Sequence, residues 1–193
     1  MSMVEMTPIK LHPLSTPFTL WLTGLSGAGK STLANSLAVA SRVATRPIFV
    51  LDGDVLRAGL CRDLGFSASD RHENVRRVAE VARLMNEAGV TVACALISPM
   101  VADRAQARAI VGEHRFIEIH VATPLAACEA RDPKGLYKRA RAGELKQFTG
   151  ISSVYEAPPN PALTLDTSTI GLGECVERVF DCLATFNLAA LDR

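Results

Sequence analysis

The sequence lacks an excess of charge of either sign, a paired set of cysteines and any long apolar run. Lys and Arg number 21 against 20 Asp and Glu, for a formal net charge of +1. No global field therefore draws the protein to nucleic acid or to an anionic membrane, and any basic site must be local. The five cysteines, Cys61, Cys94, Cys128, Cys175 and Cys182, include no Cys-x-x-Cys pair, and an odd count argues against a disulfide framework. A reduced, cytoplasmic setting is the expectation. No apolar stretch approaches the length that spans a bilayer, and Met1 to Pro17 lacks the basic start and continuous apolar core of an export signal. Internal repeats and low-complexity segments are absent as well. What the chain does have, 48% hydrophobic residues in 193, suits one α/β domain that buries roughly 70% of its unfolded surface. An irregular, proline-punctuated arm is expected over 1–17 and a single domain over 18–193.

The most informative stretch is Gly24-Leu25-Ser26-Gly27-Ala28-Gly29-Lys30-Ser31-Thr32, set between an apolar run, Phe18 to Leu22, and a helix-like run, Leu33 to Ala40. Gly-x4-Gly-Lys-Ser after a strand and before a helix is a P-loop. Its glycines let the backbone wrap a polyphosphate with the amides turned inward, where a Cβ would obstruct. Lys30 is placed to reach the β- and γ-phosphates, the Ser31 hydroxyl can hold Mg²⁺, and the helix start aims its positive end at the anion. A plain glycine-rich turn before a helix would leave Lys30 without a purpose.

Downstream, Ile48 to Leu51 reads as a buried strand of a parallel sheet ending in Asp52-Gly53-Asp54. Acids at the carboxyl end of such a strand lie where open α/β sheets bind ligands. The competing role for either Asp alone is the N-cap of a helix over Val55 to Cys61, a role that can coexist with ligand binding. Ser69-Asp70 is expected to open a long helix, with Asp70 and Glu73 at capping-box spacing. Arg71, Asn74 and Arg77 crowd its start, either as a solvated basic face or as an anion site. Val90 to Ile97 is a further strand, tipped by Ser98. Thr123-Pro124 should start another helix with Thr as its cap. Arg131 to Lys146 carries six cations, Arg131, Lys134, Lys138, Arg139, Arg141 and Lys146, which suit either a solvated helix face or a lid over about 131–150. Phe148 follows in polar surroundings. A short strand, Leu163 to Asp166, and a closing amphipathic helix complete five strands alternating with helices. The expected architecture is a three-layer α/β/α P-loop NTP hydrolase fold with a mostly parallel five-stranded sheet.

Several ordered blocks then carry a resemblance to the adenylyl-sulfate kinase family. They include Gly24 to Thr32, Leu51-Asp-Gly-Asp-Val-Leu-Arg57, Asp63 to Ser67, Asp70-Arg-His-Glu-Asn74, Ile97-Ser-Pro99, Arg131-Asp-Pro-Lys-Gly-Leu-Tyr137, Arg141 to Glu144, Phe148-Thr-Gly150 and Tyr155 to Pro158. The resemblance implies transfer of the γ-phosphate of MgATP to the 3′-hydroxyl of adenosine 5′-phosphosulfate. On its terms, Gly24 to Thr32 hold ATP, and Lys30, Asp54 and Ser98 form the catalytic group. Ser31 and Asp54 face the metal. Arg57, Arg71, Asn74, Ile97 and Ser98 hold the acceptor, Phe66 and Phe148 flank its adenine, and Lys134 lies in the lid. Ser98 matches a serine marked as phosphoserine in the family. The resemblance also leaves room for a homodimer and for association with ATP sulfurylase. Met100, Val101, Ser152 to Val154 and Cys61 depart from the family pattern. The rival readings are a kinase of another small hydroxyl-bearing acceptor, a scaffold that has kept only the fold, and a GTPase-type switch. The switch lacks any Asn-Lys-x-Asp or Thr-Lys-x-Asp to read guanine.

Overall fold

In β1 (Thr19–Thr23) side chains alternate between two packed faces, and that alternation divides the core. Leu20 and Leu22 point one way, to a cluster with Leu33, Leu37, Val179 and Leu183. Trp21 points the other way, to Val75, Val78, Ala82, Ala107 and Val111. Both faces of the strand are dry, so its residues read as one apolar run rather than as an alternation with polar ones. The computed structural model describes residues 16–43 and 47–191. The arm expected over 1–17 therefore lies outside the described residues except for Thr16 and Pro17, and Arg46 lies outside them too.

The sheet continues with β2 (Ile48–Asp52), β3 (Thr91–Ala95), β4 (Phe116–Val121) and β5 (Leu163–Leu165), in the order β2-β3-β1-β4-β5. All four neighbouring pairs are parallel. Helices α1 (Lys30–Val43) and α7 (Leu172–Leu191) cover one face, and α3 (Ala68–Glu87) and α4 (Val101–Val111) the other. Three short helices, α2 (Gly53–Ala58), α5 (Leu125–Arg131) and α6 (Leu136–Arg141), lie in the connections. The expected three layers are present, and the segments leaving β1, β2 and β3 share the carboxyl edge of the sheet, where such folds bind ligands. Among the described residues no helix is long and apolar enough to cross a membrane.

Element ends depart from the sequence expectations wherever a side chain had two possible partners. Asp52, not Asp54, caps α2: its carboxylate accepts the Asp54 backbone N–H at 2.9 Å. The long helix opens one capping box earlier than expected. Ser67 is its N-cap and Asp70 the reciprocating acid, with the Asp70 N–H donating to Ser67 Oγ at 3.1 Å and the Ser67 N–H to Asp70 at 3.2 Å. Glu73 instead pairs with Arg76 at 2.7 Å and Arg77 at 2.9 Å. Thr123 does not cap α5. Pro124 takes that position without a side-chain bond, and the Thr123 hydroxyl donates to the Ala28 carbonyl at 3.0 Å. Strand β3 is shorter than Val90 to Ile97, because past Ala95 the chain turns toward Ser98. The cationic stretch is two helices rather than one. Asp132, at φ 21°, interrupts it and accepts from the Tyr137 and Lys138 N–H groups at 3.0 Å, starting α6.

Candidate active site

Gly24 to Gly29 between β1 and α1, with Lys30 to Thr32 at the start of α1, form the phosphate loop, and its first glycine is fixed by crowding. A Cβ on Gly24 would lie 2.3 Å from the Val121 carbonyl oxygen. Lys30 is only 7% exposed. Its ammonium turns back on the loop and donates to the carbonyls of Gly24 at 2.9 Å and Leu25 at 2.6 Å. Burial pulls its pKa down to about 8, against the opposing pull of Cys128, Asp54 and Asp52. The sequence placed this group in the phosphate loop, and there it lies, bonded to the loop's own carbonyls. Ser31 Oγ donates to Asp52 Oδ2 at 2.5 Å. Asp52 thus ties the loop to the tip of β2 and leaves the Asp54 carboxylate outside the cap. Asp54 forms an ion pair with Lys134 instead.

Opposite the loop, the start of α3 and the segment before it gather cations around one ring. The Arg57 guanidinium stands 4.5 Å from the Phe66 ring centroid and Arg71 5.7 Å from it. Arg57 donates to the Gly65 carbonyl at 2.8 Å. Arg71 donates to the Phe66 carbonyl at 3.0 Å, Thr149 Oγ1 at 3.0 Å and the Gln147 carbonyl at 2.5 Å. Partial burial lowers the pKa of both guanidiniums without discharging them. Phe66 itself is 59% exposed, so it does not fill core. Phe148 is partly buried, its ring edge-on to Tyr137 at 4.9 Å and 81°. Asn74 is buried, and its side-chain oxygen has no partner. An acceptor left unpaired in this way favours a bound donor.

Ser98 sits at the tip of β3 with φ 37°, a region that non-glycine residues seldom adopt. It is held there from three sides. Trp21 Nε1 donates to its hydroxyl at 3.1 Å, Arg104 to its carbonyl at 2.7 Å, and Thr23 to the preceding Ile97 carbonyl at 2.7 Å. Arg104 is itself buried against Glu118 at 2.7 Å and reaches the Glu156 carbonyl. That network joins the strand tip to the segment beyond the lid.

One cavity of about 960 Å³ lies between these groups. Every predicted site residue borders it except Gly24, Leu25 and Ala28, whose contribution is backbone beneath the loop. Lys134, Arg139 and Lys146 of the cationic stretch border it as well. Arg141 faces away to Glu129 at 2.8 Å, so the solvated-face reading holds for part of the stretch. Sequence reasoning gave no individual role to four participants. Asp52 was visible only as half of an Asp-Gly-Asp. Thr149 supports Arg71, and Tyr137 bonds the Ser26 carbonyl at 2.9 Å. Arg131 spans the Thr167 hydroxyl and carbonyl at 2.7 Å and the Gly27 carbonyl at 3.3 Å. No local pattern announces Thr167.

Comparison with known proteins follows the same lines. A family model described as adenylylsulphate kinase matches residues 16–166. An adenylyl-sulfate kinase of Shewanella denitrificans is 57% identical over 172 residues, covering 89% of this chain and 84% of that protein. One from Pseudomonas aeruginosa is 52% identical, covering 88% and 86%. Among solved structures, the APS kinase of Mycobacterium tuberculosis in complex with AMPPNP and APS superposes with a TM-score of 0.84 at 45% identity, over 87% of this chain and 98% of that one. A gluconokinase from Sinorhizobium meliloti, at 14% identity and a TM-score of 0.58 over 91% and 97%, shares the fold alone.

Proposed function

The chain belongs to the adenylylsulphate kinase family and phosphorylates the 3′-hydroxyl of adenosine 5′-phosphosulfate with ATP; we propose that the cavity below the phosphate loop is where it does so, with the following division of roles. The observation that carries this reading is that a single space is bounded by Lys30 and Ser31 on one side and by Phe66, Arg71 and Phe148 on the other. It offers a polyphosphate surface and an aromatic, cationic surface to two nucleotides at once.

Phosphoryl transfer passes through a loose transition state in which positioning and charge compensation outweigh base strength. Lys30 leaves the Gly24 and Leu25 carbonyls for the transferring phosphate, and the loop amides take the rest. Asp54 gives up Lys134 and orients the acceptor hydroxyl. Lys134, freed, meets phosphate or sulfate as the lid closes and excludes water. Arg57, Arg71 and Asn74 hold the phosphosulfate end, and Phe66 and Phe148 take the adenine. The donor set also fits Mg²⁺: Ser31 and Asp54 supply hard oxygens, with Asp52 holding Ser31, and such sites usually add only one or two carboxylates to the phosphates. Bound there, the ion would neutralise charge between the β- and γ-phosphates. Ser98 acts by position. Its hydroxyl accepts from an indole and its loop is fixed by Arg104, with no base beside it to make it a phosphoryl carrier. Free cysteines, four of them buried, support a cytoplasmic setting.

The test is to supply ATP and Mg²⁺ with adenosine 5′-phosphosulfate, shikimate, gluconate or a nucleoside, and to identify the product. ADP release that depends on the phosphosulfate, with a new phosphate at the 3′ position, is the expected result. Release with another acceptor and none with the phosphosulfate would overturn the reading.

A further inference from the structure

Tyr137 is 1% exposed on a helix whose neighbours are mostly solvated cations, and its two ends touch the two halves of the site. Its hydroxyl donates to the Ser26 carbonyl at 2.9 Å, in the middle of the phosphate loop. Its ring meets Phe148 edge-on at 4.9 Å. Filling core requires the ring only, and a phenylalanine would do that without a buried hydroxyl to satisfy. Asp132, which accepts the Tyr137 and Lys138 N–H groups, fixes the start of the helix and with it the direction of the ring. Burial pushes the phenol further above its ordinary range, so it stays a donor at any working pH.

We propose that Tyr137 is a positioning residue that couples occupancy of the phosphate loop to the pose of Phe148, so that donor and acceptor each change the other's affinity through one hydrogen bond and one ring contact. The inference rests on the reading that Phe148 packs on the acceptor's adenine. When phosphates draw the loop's amides inward, the Ser26 carbonyl moves with them. The phenol follows its acceptor and the ring carries Phe148. The effect runs equally in both directions, as any coupling between two binding equilibria must. Its size is bounded by one neutral hydrogen bond, about two- to tenfold in affinity.

The experiment uses the full chain and the non-hydrolysable analogue AMPPNP, so that no turnover intrudes. Calorimetry gives the affinity for adenosine 5′-phosphosulfate with and without saturating AMPPNP, and the converse; the ratio is the coupling factor. In Tyr137→Phe, which keeps the ring and deletes the hydroxyl, that factor should shrink by about two- to tenfold, whatever the variant costs in melting temperature or in affinity for either ligand alone. Adding Tyr137→Phe to Phe148→Leu should then change nothing more. An unchanged factor in Tyr137→Phe, or an equal loss for both ligands with the factor intact, overturns the proposal. Should Phe148→Leu leave acceptor affinity untouched, the acceptor reading fails and this inference with it. A Phe148→Leu loss beside an unchanged coupling factor removes Tyr137 alone.

Discussion

From Gly24 to Thr32 the donor surface comes from one continuous stretch, and its cation, Lys30, is 7% exposed. The acceptor surface draws Arg57, Phe66 and Arg71 from around the start of α3 and Lys134 and Phe148 from beyond α5, and Phe66 is 59% exposed. The first surface is held by crowding. Gly24 cannot carry a Cβ, and Ser31 is tied to Asp52. The second is held by polar contacts between segments far apart in sequence: Arg71 to Thr149, Arg71 to Gln147, Lys134 to Asp54. The last of these is an exposed ion pair, and such pairs contribute little to stability. On the donor surface only Lys30 must exchange the loop's own carbonyls for phosphate, while the acceptor surface must exchange several contacts between distant segments for substrate ones as it fills.

The largest break in that contrast should come where the two surfaces meet at the transferring phosphate. Lys30→Met or Asp54→Asn is expected to lower kcat by about 10²- to 10³-fold, the usual cost of removing one group that stabilises developing charge. Asp54→Asn should do so with little change in nucleotide affinity, read by steady-state kinetics beside equilibrium binding. On the acceptor side, Phe148→Leu should weaken the phosphosulfate by about 5- to 150-fold, the value of one stacked base, and leave ATP nearly unaffected. Equal losses for both, with a lowered melting temperature, would mean that Phe148 fills core instead.

The pH dependence of ATP binding separates the two halves further. In the free protein Lys30 titrates at about 8, below its ordinary value because it is buried. Bound phosphate raises it again. Below pH 8 the ammonium is already present and binding is indifferent to pH through this group. Above it, binding must take up a proton, so ATP affinity should fall by up to about tenfold per pH unit until the bound-state pKa is passed. Calorimetry in buffers of different ionisation enthalpy reads that uptake directly, and Lys30→Met should abolish it. The same lowered pKa means that the folded protein bears a buried charge below pH 8 and is relieved of it above, so Lys30's own contribution to stability improves as pH rises through 8. The smallest effect is expected at Ser98→Ala. It removes one bond from Trp21, costing about 0.5–1.5 kcal/mol of stability, and should retain substantial turnover. Complete loss with a competent phosphoenzyme in the parent would make Ser98 a carrier.

How much of this the sequence disclosed follows the same division. The phosphate loop was legible because strand, glycines, Lys30 and helix are contiguous, and the strands because their dry faces leave unbroken apolar runs. The acceptor residues were legible only through the resemblance, since neither composition nor period distinguishes Arg71 from a solvated arginine. Capping assignments failed at Ser69-Asp70, where Ser67 stood equally well placed to cap, and at Thr123, whose hydroxyl a long-range contact took. Tyr137 and Thr167 were invisible because their meaning lies in partners more than thirty positions away.

Hydrogen exchange across the two surfaces tests the contrast most directly. The protein alone, with AMPPNP, and with AMPPNP plus adenosine 5′-phosphosulfate should be compared over Gly24 to Thr32 and over 132–150. The amides at the start of α1 should be well protected in the free protein, whereas 132–150 should gain most of its protection only when the phosphosulfate is present. Strong and equal protection of both segments in the free protein, unchanged by either ligand, would contradict it.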